Sequence, residues 1–145
     1  MDCVDDLIMH LDLLARNFSD YDEVYIVKLF LLEAGIPTRG CGFDYINEAV
    51  ILWYRYSMRR VSKEIYPAIA KKFRPYATMA QVERTIRKTI EIAWKDRDEM
   101  WGTFFPEPQR PTNTEFISRM AKVLELWVDR REFLTRLEGG KQSEL

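Results

Sequence analysis

The sequence is poor in the residue types that build metal and redox sites. Only two cysteines occur, Cys3 and Cys41, and they lie far apart without a C-x-x-C spacing. The single histidine, His10, sits in an acidic segment. Zinc sites and catalytic Cys–His or Ser–His–Asp sets need more of these side chains in a suitable arrangement. We therefore expect no metal, no cofactor and no catalytic residues, and two reduced thiols.

Long apolar runs, phosphate-binding loops and strand patterns are also missing. No apolar run approaches the roughly 18 residues that a membrane helix requires, so no membrane partner is expected. The N-terminus has no basic region before its apolar residues, which argues against a secretory signal. There is no Gly-rich loop followed by Lys-Ser/Thr and no H-E-x-x-H motif. The sequence therefore predicts a cytoplasmic protein that is not an enzyme.

Charge is distributed unevenly along the chain. Residues 1–54 hold 3 Lys/Arg and 10 Asp/Glu, residues 55–97 hold 12 and 4, and residues 98–145 hold 7 and 9. A basic middle therefore follows an acidic head, although the formal net charge of the whole chain is only −1. Because a phosphate backbone responds to charge within about one Debye length, roughly 8–10 Å, this local excess matters more than the total. The middle segment is thus the candidate for nucleic-acid contact.

Apolar residues recur at spacings of three and four along most of the chain, which is the periodicity of amphipathic helices. The pattern predicts an all-α fold, a compact bundle of six or seven helices. We divide it into an acidic N-terminal helix in residues 1–20, a helix-turn-helix domain in residues 21–137 and a disordered polar tail in residues 138–145. The first helix is expected from Val4 to Ala15.

A short helix ending in "AKKF", a connector and a second amphipathic helix together predict a helix-turn-helix in the basic segment. Thr78 and Gln81 match the Ser/Thr-x-x-Glu/Gln capping box, so the second helix is expected over Thr78–Lys95. Its apolar stripe would dock on the short helix that ends in "AKKF". Its charged stripe is either a solvated face or a surface that enters the major groove.

The charged stripe carries side chains that can recognise base edges. Arginine pairs with guanine, glutamine with adenine, and glutamate accepts from cytosine. As base-reading residues we predict Gln81, Glu83, Arg84 and Lys88. As phosphate-contacting residues we predict Lys71, Lys72, Arg74, Arg87, Thr112 and Asn113, the last two because they begin a further capped helix.

Several runs resemble one known family in the same order along the chain. These are "LLEAGIPTRGCGFDYINEAV", "IYPAIAKKF", "QVERTIRKTIEIAW" and "PTNTEFISRMAKVL". They resemble the C-terminal effector domain of the sporulation initiation factor, stage zero sporulation protein A, over about residues 24–126. The resemblance implies an all-helical DNA-binding module that binds short boxes near promoters, often as a dimer, and regulates transcription in spore-forming bacteria. It also implies that Glu83 and Arg84 read bases.

The sequence departs from that family at the predicted reading surface. Gln81 and Ala80 stand where the family has arginine and serine, Lys88 stands where it has histidine, and the connector is about two residues longer. Only about 20 residues precede the resemblance, too few for a doubly wound receiver domain. Control through a phosphorylated receiver is therefore not expected, and the acidic head is a candidate to mask the basic surface or bind a partner.

Two functions remain open from the sequence. The leading hypothesis is a transcription regulator that binds double-stranded DNA as a homodimer, with RNA polymerase or another regulator as a further partner. The alternative is a protein–protein interaction module that kept the fold but lost specific DNA binding. The alternative draws its support from the substitutions at Ala80 and Gln81 and from the acidic head.

Overall fold

The computed structural model describes residues 9–11, 13, 22–75 and 77–143, and no strand occurs among them. The helices are α1 (Glu23–Glu33), α2 (Gly42–Tyr56), α3 (Tyr66–Lys72), α4 (Met79–Lys95), α5 (Glu99–Phe104) and α6 (Asn113–Ser143). One π-helical turn, Val61–Ile65, leads into α3. The prediction of an all-α fold is confirmed. Met9–Leu11 and Leu13 are also helical, and the rest of the predicted first helix lies outside the described residues.

Local side-chain chemistry sets both ends of α1. The Asp22 carboxylate accepts a hydrogen bond from the Tyr25 backbone N–H at 3.1 Å, which satisfies one of the free donors of the first turn. At the other end Gly35 has a φ of 75°, a conformation that glycine adopts without steric cost. The Ile36 N–H then donates to the Leu31 carbonyl at 2.9 Å. This is a Schellman ending, and it turns the chain toward α2.

A single core joins the helices, with α2 in contact with α1, α3, α4 and α6. The side chains that fill the core are aliphatic or aromatic, and the largest fully buried ones include Phe30, Ile46, Ile69, Ile86, Phe104, Phe116 and Trp127. Because the core uses residues from every described helix, α3 and α4 are held against a continuous framework. Phe105, which follows α5, is buried as well.

The last helix is longer than its sequence pattern predicted. It continues to Ser143, past Leu137, so residues 138–143 are helical, and the disorder expected from their polar composition stays a prediction. Once a helix is nucleated, each added residue gains one backbone hydrogen bond, so a polar end can extend a packed helix. The division of the chain at residues 21 and 137 stays a prediction.

Candidate nucleic-acid interface

The basic segment folds as α3, a connector and α4, in the order predicted for a helix-turn-helix, and the two helices contact each other. The regular helix α3 begins at Tyr66, and Pro67 occupies its first turn. The N–H that Pro67 lacks falls at the junction between the π-helical turn and α3, where the backbone hydrogen-bond pattern changes. The connector contains the cis peptide bond Arg74–Pro75.

The capping box predicted at the start of α4 is formed. Thr78 Oγ1 accepts from the Gln81 N–H at 3.2 Å, and Gln81 Oε1 accepts from the Thr78 N–H at 3.0 Å. This arrangement has a cost for base reading. Bidentate pairing with adenine needs both the carbonyl oxygen and the amino group of a glutamine. Gln81 can offer both only by giving up its half of the capping box.

One side of α4 is buried and the other is exposed to solvent. The buried residues are Val82, Ile86, Thr89, Ile90 and Ala93. Trp94, near the end of α4, is only half-buried, and Arg97 Cζ lies 3.7 Å from the centroid of its ring. The apolar stripe is thus confirmed over the length that contacts α2 and α3.

Arg84 and Lys88 form the centre of the exposed side. Side chains four positions apart on a helix are rotated by about 40°, so these two point in nearly the same direction. Both are exposed, and neither has an ion-pair partner among the described residues. Arg84 lies in the first half of α4, the half that a helix-turn-helix presents to base edges, and Lys88 lies one turn further on, just past the midpoint of the helix. Two unneutralised cations are therefore available at the predicted reading surface.

Glu83 lies on the flank of α4 and not beside Arg84 and Lys88. At about 100° per residue it is rotated by about 100° from Arg84 and by about 140° from Lys88. Its carboxylate accepts from Arg87 Nη1 at 3.2 Å, and its side chain is half-buried. The structure thus brings together Arg84 and Lys88 in one direction and the Glu83–Arg87 pair in another.

The predicted phosphate contacts of α3 and the connector are all at the surface. Lys71, Lys72 and Arg74 are exposed. Lys72 Nζ lies 2.6 Å from Glu48 Oε2 of α2, so part of its charge is already neutralised. Lys71 and Arg74 have no ion pair within the described part of the chain. Lys71 and Arg74 are therefore free to contact a phosphate, whereas the charge of Lys72 would be shared between a phosphate and Glu48.

Thr112 and Asn113, at the start of α6, differ in what they can offer a phosphate. Thr112 is exposed, and its Oγ1 accepts from the Glu115 N–H at 3.1 Å, which leaves its own O–H free to donate. Asn113 is half-buried, and its Nδ2 donates to the Tyr66 hydroxyl at 2.9 Å and to the Glu83 carbonyl at 3.2 Å. Both donors of that amide are occupied inside the protein, so Asn113 does not present them to solvent.

Burial and the contact with Asn113 act on the pKa of Tyr66 in opposite directions. Burial raises the pKa of the Tyr66 hydroxyl above its ordinary value, the nearby Glu83 carboxylate raises it further, and the hydrogen bond to Asn113 opposes the shift. Tyr66 is therefore neutral at physiological pH, and its oxygen is a permanent acceptor for the Asn113 amide.

Two contacts of the region were not foreseen in the sequence. The first is the Asn113 link, and the second is the ion pair of Arg110 Nη1 with Glu91 Oε1 at 3.1 Å. Both join the start of α6 to α4. In the sequence, "PTN" at the start of a predicted helix indicates only a capped helix terminus. Nothing local in the sequence identifies contact partners that lie so far along the chain.

Clusters of metal-ligating side chains are missing from the part of the chain that the structure describes. Residues 9–11, 13, 22–75 and 77–143 contain no group of three or more His, Cys, Asp or Glu side chains that could hold a metal ion. The His10 ring lies against Phe104, and its Nε2 contacts the Glu33 carboxylate. Within the same ranges, no helix combines the length and apolar character needed to cross a bilayer.

A comparison with protein families gives an independent finding. The sequence model of one family, described as "Sporulation initiation factor Spo0A C terminal", matches residues 27–124. The match includes α3, the connector, α4 and the first part of α6. It thus spans more than half of the chain and all of the surface described above.

Proposed function

The chain belongs to the family of the sporulation initiation factor C-terminal domain, and we propose that it is a transcription regulator that reads specific DNA sequences with the helix Thr78–Lys95. The family is one of DNA-binding effector domains and is not an enzyme family. Because of this proposed role, α4 is named the reading helix.

The observation that carries the proposal is the pair of free cations on the reading helix. Arg84 and Lys88 are exposed, close in direction and without ion-pair partners among the described residues. A solvated helix face usually carries acidic and basic side chains that pair at i,i+4. Here that pairing is confined to the flank, at Glu83 and Arg87. Because Arg84 and Lys88 have no ion-pair partner in the described part of the chain, their donors are available to base edges in a groove, as base recognition requires.

We assign a role to each residue from the hydrogen-bond donors, acceptors and charges that its side chain has available. Arg84 and Lys88 read bases, and Glu83 contributes only where a base reaches the flank of the helix. Gln81 acts first as a cap and reads a base through its amino group alone. The phosphate-contacting residues are Lys71, Arg74 and Thr112, joined by Lys72 and Arg87 when a phosphate displaces their carboxylate partners.

A homodimer on DNA is the partner arrangement that we propose. Leu126, Phe133 and Leu137 are exposed large apolar side chains on α6, at spacings of seven and four that place them on one face. Asp129 and Arg136 are exposed beside this face. In an antiparallel pair of identical helices the same flank of each copy meets, so these opposite charges would face each other. RNA polymerase or another regulator remains a further proposed partner, in the cytoplasm.

A binding-site selection with the purified protein, followed by titration of the selected duplex at two salt concentrations, tests the proposal. We expect salt-dependent binding with a log–log slope of about −4, as for about four neutralised phosphates. Arg84→Ala should weaken the selected duplex by about 1–3 kcal/mol and a random duplex much less. Arg39→Ala is the control, because Arg39 is exposed and equally charged but lies in the turn before α2.

The result that contradicts the proposal is equally specific. If no duplex is selected and the affinity does not depend on salt, the interaction-module alternative is favoured, and the paired side chains of Gln81, Glu83 and Lys72 explain the loss. Equal effects of Arg84→Ala and Arg39→Ala would remove Arg84 from the reading surface. Sedimentation of the protein on the selected duplex gives the number of chains bound and tests the dimer.

A further inference from the structure

The Asn113 side chain contacts two other helices through the amino group of its amide. The Glu83 carbonyl oxygen can accept but not donate, so the Asn113 group that faces it at 3.2 Å is the amino group. The second hydrogen of the same nitrogen is directed to the Tyr66 hydroxyl at 2.9 Å. One side chain at the start of α6 is thereby bonded to α3 and to the reading helix at the same time.

We infer that Asn113 is a positioning residue that fixes the reading helix relative to α3 and α6, and that it is not a phosphate contact. The inference rests on the proposed function, because it assigns to Asn113 the orientation of the surface that reads DNA. The Glu83 carbonyl lies in the first half of the reading helix, next to Arg84. Holding this carbonyl holds the backbone from which Arg84 projects.

The burial of the contact makes it more effective than the other link between α6 and α4. Tyr66 is 6% exposed and Asn113 is half-buried, so their hydrogen bonds are partly shielded from water. The Arg110–Glu91 pair joins the same two regions, but its side chains are 46% and 32% exposed. Exposed ion pairs hold geometry weakly because solvent and salt screen them. The orientation of the reading helix therefore depends on Asn113 more than on Arg110.

A double-mutant cycle on Asn113 and Tyr66 tests the inference through DNA discrimination. Asn113→Ala removes both donors, and Tyr66→Phe removes one acceptor while its ring keeps the core filled. The quantity measured is the ratio of the affinity for the selected duplex to that for a random duplex of equal length. We expect this ratio to fall about 3- to 10-fold in Asn113→Ala, as for the loss of buried hydrogen bonds, with the salt slope unchanged.

The cycle also predicts how the two changes combine. The double variant should lose little more discrimination than Asn113→Ala alone, because Tyr66→Phe acts through the bond that is already gone. Thr114→Ala, an exposed neighbour in the same turn of α6, is the control and should leave the ratio unchanged. Equal weakening of both duplexes by Asn113→Ala would overturn the inference in favour of a phosphate contact. Additive losses in the double variant would overturn it as well, because they would show that the two side chains act independently.

Hydrogen exchange gives a second readout that does not require DNA. In Asn113→Ala and in Tyr66→Phe we expect faster exchange of the backbone amides in the first half of the reading helix than in α2. A uniform increase across all helices would mean that Asn113 is merely a stabilising residue and would overturn the inference. If the wild-type protein selects no duplex, the proposed function fails, and the exchange pattern alone decides whether Asn113 positions this helix.

Discussion

At the scale of single residues, Gly42 sets how closely α2 approaches the reading helix. A Cβ added at Gly42 would lie 2.8 Å from the Cβ of Thr89, which is closer than packed side chains come to each other. Thr89 is 9% exposed, and its Oγ1 donates to the Thr85 carbonyl at 2.7 Å, so its side chain is held in place. The absence of a side chain at Gly42 is therefore a packing requirement of the interface between two helices.

Gly42→Ala is accordingly expected to lower the free energy of unfolding by about 1–3 kcal/mol, the usual cost of overpacking a filled site. Denaturant unfolding followed by circular dichroism measures the change. Gly102→Ala provides the control, because a Cβ at Gly102 of α5 meets no atom within 4 Å. Unfolding midpoints that shift equally in the two variants would show that the approach of α2 to Thr89 is not tight in solution.

Still at this scale, the sequence identified Arg84 and Lys88 correctly as exposed side chains, because their helical phase opposite Val82 and Ile86 determines it. It could not separate them from Glu83. That distinction depends on the half-burial of Glu83 beside α6 and on its ion pair with Arg87. Whether any of these residues contacts DNA stays a prediction.

At the scale of elements, the start of the reading helix is determined by a local motif. Thr78 and Gln81 satisfy two backbone donors reciprocally, and both hydrogen bonds lie within four residues of sequence. Such a motif operates before any tertiary contact is made. This is why the boundary of α4 could be predicted, whereas the continuation of α6 past Leu137 could not.

Thr78→Ala and Gln81→Ala should each lower the free energy of unfolding, by about 0.5–2 kcal/mol for the threonine, because each leaves a donor of the first turn without an acceptor. Gln109→Ala, at an exposed position outside the helices, is the matched control. Thermal unfolding and the binding-site selection are measured on the same variants. A changed base preference in Gln81→Ala without loss of stability would mean that Gln81 reads a base and does not cap.

At the scale of the whole molecule, the segment predicted as a separate acidic helix contributes to the core. Leu11 is 1% exposed, and His10 contacts both Glu33 of α1 and Phe104 at the end of α5. The charge of the segment suggested an accessory role, since acidic residues dominate its composition. One buried leucine nevertheless makes part of it continuous with the domain.

Leu11→Ala should therefore destabilise the protein by about 2–5 kcal/mol, as large-to-small substitutions in cores do. Leu13→Ala is its matched control, because the side chain of Leu13 is 57% exposed. Urea titration of the two variants gives the difference directly. Near-equal stabilities would place the segment outside the cooperative fold and would support the predicted division of the chain.

The sequence by itself determined the helical class, the exposed and buried sides of the reading helix and its capped start. These features depend on spacing and on side chains within a few residues of each other, so they can be read along the chain. Only the tertiary structure decided that Gly42 meets Thr89, and that Asn113 bonds partners 30 and 47 positions away. Such contacts arise when helices distant in sequence pack against one core, and periodicity along a single helix carries no information about them.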